Sequence, residues 1–376
     1  MFKTIDRVMK RIIIGKSIAN KVMMVSVIFR TTKPCGGGVS TVLECYDRYF
    51  DGLRHIPTWK YTNPLNKAWY FFYHWVELVF LLIFDRRLKI VHIHTAAGSS
   101  FKRKMIMAKT ARTFGKKVIL HMHAADFVEF YETASDKDKI INNIKACDIL
   151  IVLSPQWKDF FVKIGIGEKN IIILNNIVTP PSEEVLKKRI IQSPNIQPQL
   201  RFLFLGWLGK RKGIWDLLDV IVTHHENLKG RFMLRFGGNE FENEIKKLIK
   251  DNNLEDVVQF EGWVNGEKKV ELLEWANCFI LPSYNEGLPI SILEAMSYGM
   301  PVVSTPVGGI TEVVKNGENG VIVEPGNKEQ IWNALKHYLD NPEAIAVEGR
   351  KSLDIVRSYT PDFVLNDLKK IYEDLL

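Results

Sequence analysis

Short, almost continuously apolar runs recur along the chain, with longer mixed segments of helical spacing between them. In the first half the runs are 22–28, 90–94, 118–121, 149–153 and 171–174. In the second half they are 201–205, 231–236, 257–260, 278–281, 302–304 and 321–323. Strands apolar on both faces and alternating with helices predict a parallel sheet covered on both sides. The pattern runs twice. Between the two series lie Thr179-Pro180-Pro181-Ser182, a basic helical stretch, and a second proline-rich segment at 193–198. That is where a domain boundary belongs. The expected organisation is an α/β chain of two doubly wound, Rossmann-like domains facing across a cleft, 1–180 and 199–355, with a linker at 181–198 and a terminal helix at 356–376.

The chain's 376 residues suit two domains, and 46% hydrophobic residues are ample for two cores. The formal charge of +8 favours anionic partners such as nucleotides or phospholipid surfaces. No zinc-finger, basic-zipper or RNA-binding signature accompanies it, so nucleic acid is not an expected partner. The four cysteines, Cys35, Cys45, Cys147 and Cys278, have neither paired nor metal-like spacing and read as reduced thiols of a cytoplasmic protein. The segment 1–21 has scattered basic residues but no long apolar core or cleavage site, and reads as a frayed terminus.

One apolar segment stands apart. Residues 68–84 read AWYFFYHWVELVFLLIF, followed by Arg86 and Arg87. The length is at the lower limit for a membrane span, and a span here would cut the first strand off from its sheet. Two readings stay open: a helix buried on the sheet, or one presenting an aromatic face to an anionic membrane surface, which would make the protein peripheral on the inner face.

The candidate chemistry centres on Asn285-Glu286-Gly287-Leu288-Pro289-Ile290-Ser291-Ile292-Leu293-Glu294. Glu286 lies in a loop after an apolar strand, and Glu294 inside a predicted helix. Pro289 fits the first helical turn, so the helix start, with its free N–H groups and positive dipole end, falls between the two carboxylates. Such an end holds anions. The next strand closes in Thr305-Pro306-Val307-Gly308-Gly309, completing a strand–loop–helix–strand–glycine-loop order suited to a nucleotide site. Upstream, Gly206-Trp207-Leu208-Gly209-Lys210-Arg211-Lys212-Gly213 is a glycine turn with cations, able to hold a diphosphate. In the first half, Gly36-Gly37-Gly38 follows the first strand, and glycine permits close backbone approach to a ligand. Asp136-Lys137-Asp138 precedes a helix and reads as an N-cap region, so no metal is expected there or elsewhere.

Together these motifs resemble the retaining glycosyltransferases of family 4, which have the GT-B fold, over nearly the whole chain. The spacing of Glu286 and Glu294 is similar to the E-x7-E signature, and Lys212-Gly213 matches the end of the phosphate motif. Trp207 stands where arginine is common. Leu120-His121-Met122-His123-Ala124-Ala125-Asp126-Phe127 resembles the family's His-Gly-x-Asp-Phe segment, with Ala124 in place of glycine, and Asn175-Asn176 resembles an Asn-Gly. The resemblance implies metal-independent transfer from a nucleotide-diphosphate sugar, with UDP the commonest nucleotide, to a saccharide or lipid-linked acceptor of the kind used for bacterial surface polysaccharide. No cofactor is implied. His123 would face the transferred sugar, Glu286 would bind it, and Lys212 would meet charge on the diphosphate. Glu294 would take the ribose hydroxyls. Gly206, Arg211, Trp263, Ser283, Tyr284, Asn285, Gly287 and Leu288 would complete the donor site, with Gly237-Gly238-Asn239 lining it. Gly36, Gly37, Gly38 and His94 would serve the phosphate and acceptor, and the terminal helix would cross back to the first domain. Three alternatives leave less explained: a nucleotide-sugar epimerase, a nucleotide-sugar-binding protein without turnover, and a membrane-surface scaffold.

Overall fold

A computed structural model describes residues 11–29, 37–60, 62–123, 125–192 and 199–376. The chain divides into two compact units, Met1–Ile177 with Tyr359–Leu376, and Val178–Ser358.

The first unit is built on a six-stranded sheet. Its strands are β1 (Val22–Ser26), β2 (His55–Pro57), β3 (Ile90–Thr95), β4 (Lys117–Met122), β5 (Ile149–Val152) and β6 (Ile171–Ile173), in the order β2-β1-β3-β4-β5-β6. All pairings are parallel. The predicted runs form these strands because their side chains are buried on both faces: every residue of β1 and β3 is buried. β2 has only three residues and lies at the sheet edge, too short and mixed to show in the pattern. The order reverses between β1 and β3. Loops at the carboxyl ends of those two strands therefore diverge and leave room for a ligand.

The second unit has a sheet of β7 (Leu200–Leu205), β8 (Phe232–Gly237), β9 (Val258–Phe260), β10 (Cys278–Leu281), β11 (Val302–Ser304) and β12 (Gly320–Ile322). Its order is β12-β11-β10-β7-β8-β9, again all parallel. This is the doubly wound dinucleotide-binding order, with the reversal between β7 and β10.

Two segments outside the sheets were named in the sequence reading. The stretch 181–198 contains a helix, Glu183–Gln192, that belongs to the second unit. Arg189 fixes it there: its guanidinium donates to the carbonyls of Tyr298 (2.7 Å), Leu273 (3.0 Å), Glu274 (2.6 Å) and Ala276 (2.8 Å). These are carbonyls that the ends of helices Gly266–Trp275 and Ile290–Ser297 leave without intrahelical donors. Residues 193–198, the rest of the expected linker, lie outside the described residues. The terminal helix Pro361–Leu375 packs within the first unit, where Tyr372 is fully buried and its hydroxyl lies 2.7 Å from Nδ1 of His92.

The segment 68–84 is part of a longer helix, Pro64–Phe84, of which only Leu78 and Leu82 are buried. Phe71 and Trp75 pack partly on the core, and the Trp75 indole donates to Thr110 Oγ1 at 3.0 Å. The opposite stripe is exposed: Leu65, Trp69, Phe72, Val76, Phe80 and Ile83, at the spacing of one helical face. The buried-helix reading is therefore wrong for most of its surface. The helix is long and apolar enough to cross a membrane, but β1 pairs directly with both β2 before it and β3 after it. A spanning helix would put those strands on opposite sides, which the sheet forbids.

Candidate functional site

In the second unit the named residues gather at the carboxyl ends of β7 and β10, on the two sides of the strand-order reversal. After β7 the chain turns through Gly206 into a short 3-10 turn, Lys210–Lys212, and enters helix Ile214–Thr223 at Gly213. Gly213 has φ +70°, and a Cβ there would lie 2.0 Å from the Pro282 carbonyl oxygen. Only glycine lets this turn press against the loop after β10. Two hydrogen bonds join them: Tyr284 N–H donates to the Arg211 carbonyl (2.8 Å), and Arg211 Nη1 donates to the Asn285 carbonyl (2.6 Å).

That contact sets Glu286. Its carboxylate is 6% exposed. Oε1 accepts from Lys212 Nζ (2.5 Å) and from Ser283 Oγ (2.8 Å), and Arg211 Nη1 lies 3.6 Å from Oε2. Burial pulls the Lys212 ammonium below its ordinary pKa while Glu286 opposes the shift. The pair is a buried carboxylate and cation, each needing the other, since removing one partner leaves an uncompensated charge. From the far side, Gly309 N–H donates to the Gly287 carbonyl (2.6 Å), and a Cβ at Gly308, with φ +55°, would lie 1.9 Å from the Glu286 carbonyl oxygen. The glycine loop after β11 thus closes on the Glu286 loop.

Helix Ile290–Ser297 begins just beyond. Pro289 is its N-cap, one position earlier than expected, and no side chain caps it. Glu294 is inside the helix, as the spacing predicts, and its Oε1 accepts from Lys269 Nζ at 2.6 Å. The two glutamates therefore flank an uncapped helix start, and each is held by a lysine. Leu288 is buried, and Tyr284 is exposed with its hydroxyl donating to Asp216 at 2.9 Å. Trp263 follows β9, 39% exposed, after Gly262 at φ +69°. Gly238 approaches Gly206 so closely that a Cβ would lie 2.0 Å from the Gly206 carbonyl oxygen. Trp207, at the position where arginine is common in the resemblance, lays its ring over Gly209, where a Cβ would lie 2.1 Å from it. Arg211 and Lys212 carry the positive charge of this turn toward Glu286.

The first unit brings a second group together. Gly36 lies outside the described residues, as does Ala124. Gly37 has φ +55° and precedes helix Gly38–Tyr49. His94 on β3 stands level with His121 on β4, which puts His92, His94, His121 and His123 on one face of two neighbouring strands. His94 Nδ1 lies 2.9 Å from His123 Nε2, and His92 Nε2 lies 3.3 Å from His121 Nδ1. Burial holds all four imidazoles well below their ordinary pKa, His92 and His123 at about 3, and Lys104 beside His123 adds to it. They are neutral at physiological pH. Nitrogens of His92, His94 and His121 also lie within 4.8 Å of one another, the one group among the described residues close enough to share a metal ion. The sequence reading missed this cluster, because it needs the register of β3 against β4. Asp136 caps helix Lys137–Lys145 through a 2.9 Å bond from Lys139 N–H, as its N-cap reading expects.

Residues sequence reasoning missed are Lys269, Asp216, Lys104 and the histidine partners His92 and His121. Lys269 and Lys104 carried no local signal, being two among the 51 lysines and arginines of a basic chain.

Against known proteins, residues 187–352 match the family Glycosyl transferases group 1. An uncharacterised glycosyltransferase of Methanocaldococcus jannaschii is 25% identical, over 85% of this chain and 82% of its own. The amylovoran biosynthesis glycosyltransferase AmsK of Erwinia amylovora is 24% identical, over 64% of this chain and 58% of its own. The crystal structure of Anabaena HepE in complex with UDP and glucose is similar with a TM-score of 0.69 at 15% identity, covering 94% of this chain and 99% of that one.

The histidine face predicts an acid-labile first unit. Below the ordinary imidazole pKa of 6.5 the unfolded chain binds protons that the folded cluster refuses, so stability falls as pH drops through 6.5. From pH 7.5 to 5.5 the loss is roughly 1.4 kcal/mol per buried histidine, or about 4 kcal/mol for His92, His94 and His121. Urea unfolding at pH 7.5, 6.5 and 5.5 reads this directly. A flat profile would mean the cluster accepts protons while folded.

Proposed function

From the premise that the protein is a glycosyltransferase of the GT-B fold, we propose that it transfers a sugar, with retention of configuration and without a metal, from a UDP-sugar to a saccharide or lipid-linked acceptor. The observation that carries this reading is the pair Glu286 and Glu294, set either side of an uncapped helix start with Lys212 on the first carboxylate.

In this reading the diphosphate binds the second unit at the N–H groups of helix Ile290–Ser297 and beside Arg211 and Lys212. Lys212 is then shared between Glu286 and the leaving diphosphate. As the sugar–oxygen bond breaks, negative charge grows on that oxygen, and the cations and helix N–H groups stabilise it without reorganising. Glu286, pinned by Ser283, takes sugar hydroxyls, and Glu294 releases Lys269 to take the ribose. The resemblance gives His123, neutral and paired with His94, the role of meeting the sugar. The acceptor attacks from the face the diphosphate leaves, which takes the acceptor proton. Retention and membership of family 4 are read from the E-x7-E resemblance, UDP from that resemblance with support from the UDP and glucose bound by HepE, and the polysaccharide context from the similarity to AmsK, an amylovoran biosynthesis glycosyltransferase.

We place the protein in the cytoplasm, peripheral on the inner membrane face through helix Pro64–Phe84. The support is its exposed stripe, with Trp69 71% and Phe80 58% accessible, and the exposed Arg86, Arg87 and Lys89 that follow. A helix apolar on the side away from its own core, with basic neighbours, suits an anionic interface.

Transfer is tested with UDP-sugars and a panel of saccharide acceptors in the presence of chelator, the product anomer being read by NMR. The expected product keeps the donor's configuration. Lys212→Ala and Glu294→Ala each lower turnover at least tenfold. Near-wild-type turnover in both would remove the donor assignment, and sugar isomerisation without acceptor would favour the epimerase.

Flotation tests the membrane face. Wild-type protein is expected to rise with phosphatidylglycerol vesicles, and a Trp69→Ser, Phe80→Ser, Phe84→Ser triple variant to stay in the soluble fraction. Wild-type protein remaining wholly soluble would remove the membrane surface.

A further inference from the structure

Lys104 is the most deeply buried lysine among the described residues of the first unit, 2% exposed in the helix Gly98–Thr113 that follows β3. Its Nζ reaches back one turn and donates to Ser100 Oγ at 3.1 Å. An ammonium carries three donors, and this is the one hydrogen bond it makes among the described residues. Arg103 beside it has a buried Nε without a partner. Neither cation has a carboxylate in ion-pair reach among the described residues. Buried cations are ordinarily matched by an acid, and none stands here.

The surroundings point the same way. The helix begins at Gly98 with Ala97 as N-cap, with no side-chain cap and no acidic residue in its first turn. The N–H groups of Gly98, Ser99 and Ser100 have no intrahelical acceptor, and the dipole end adds positive potential. This end sits at the carboxyl edge of β3, beside the strand-order reversal between β1 and β3, where ligands of such sheets bind. His94 Nε2 is buried without a partner, and Lys104 is near enough to His94 and His123 to disfavour their protonation. The site offers one ammonium, one hydroxyl and several N–H groups. A tetrahedral oxyanion, with acceptors in several directions, satisfies that set better than a planar carboxylate.

We propose that the first turns of helix Gly98–Thr113, with Ser100 and Lys104, form a phosphate-binding subsite for a phosphate group carried by the acceptor. The inference rests on the proposed transfer to an acceptor. It adds that the acceptor is phosphorylated. The acceptor phosphate supplies the charge that Lys104 lacks, and with no phosphate bound, burial lowers the Lys104 pKa to about 7, so the ammonium gives up its proton readily.

The test is calorimetry on full-length protein saturated with UDP, with chelator present, titrating inorganic phosphate, geranyl phosphate and glucose 6-phosphate into wild type, Lys104→Met and Ser100→Ala. At least one organic phosphate is expected to bind wild type one-to-one, more tightly than inorganic phosphate. Its affinity should fall at least tenfold in Lys104→Met and several-fold in Ser100→Ala, with UDP affinity unchanged. Tighter binding of the prenyl ester assigns a lipid-linked phosphate, and tighter binding of the sugar ester a soluble one. The melting temperature of Lys104→Met should equal or exceed that of wild type without phosphate, showing that the variant is folded, and should not rise when phosphate is added. Two results would overturn the subsite: equal binding by Lys104→Met, or no binding of any probe by wild type that binds UDP. Wild type that binds phosphate through Lys104 but not UDP would instead remove the donor reading and leave the subsite standing.

Discussion

A carboxylate buried to 6% exposure cannot stand without a cation, and the second unit is arranged around that requirement at Glu286. Lys212 meets one oxygen at 2.5 Å and Ser283 donates to the same atom. The backbone then has to bring the turn after β7 and the loop after β10 into contact, and it does so with residues that lack a Cβ. Gly213 lies against Pro282, and Gly308 lies against Glu286 itself. Substituting either would push apart the loops that hold the ion pair. The glycines and the charges are one device: close packing of loops sets the distance, and the distance makes the buried charges tolerable.

The same logic runs through the first unit with a different outcome. There the parallel register places four imidazoles on one face, and burial keeps them neutral. Neutral rings pair with one another and with Tyr372 from the terminal helix. Lys104 has no acid among the described residues: without a ligand it sheds its proton readily, and the proposed acceptor phosphate would hold it charged. One unit thus matches its buried charge internally and the other leaves it open. In the proposed reading the second unit takes the nucleotide donor and the first unit a phosphorylated acceptor.

Much of this was legible in the sequence. The strands appear as apolar runs because both faces of a doubly wound sheet are covered, and β10 and β11 fall on the expected residues. β2 was not legible, since three edge residues make no run. The two glutamates, the glycine turns and His123 were legible because each lies in a local motif beside a strand end. The lysines at 104 and 269 were not, because their partners are set by tertiary packing. Helix Pro64–Phe84 shows the limit of composition: its apolar residues spread around most of the helix, so its pattern cannot say which side is covered. The tie of helix Glu183–Gln192 to the second unit was not legible for a related reason, since the four carbonyls that Arg189 holds come from helix ends far along the chain.

The central claim is that the loops around Glu286 and the helix start beyond it bind a nucleoside diphosphate. Calorimetry with UDP, GDP, ADP and CMP, in chelator, on wild type and Glu294→Ala tests it most directly. The account predicts that UDP binds selectively and that the variant weakens it at least tenfold. Absence of binding by any of the four, or equal binding by the variant, would contradict it.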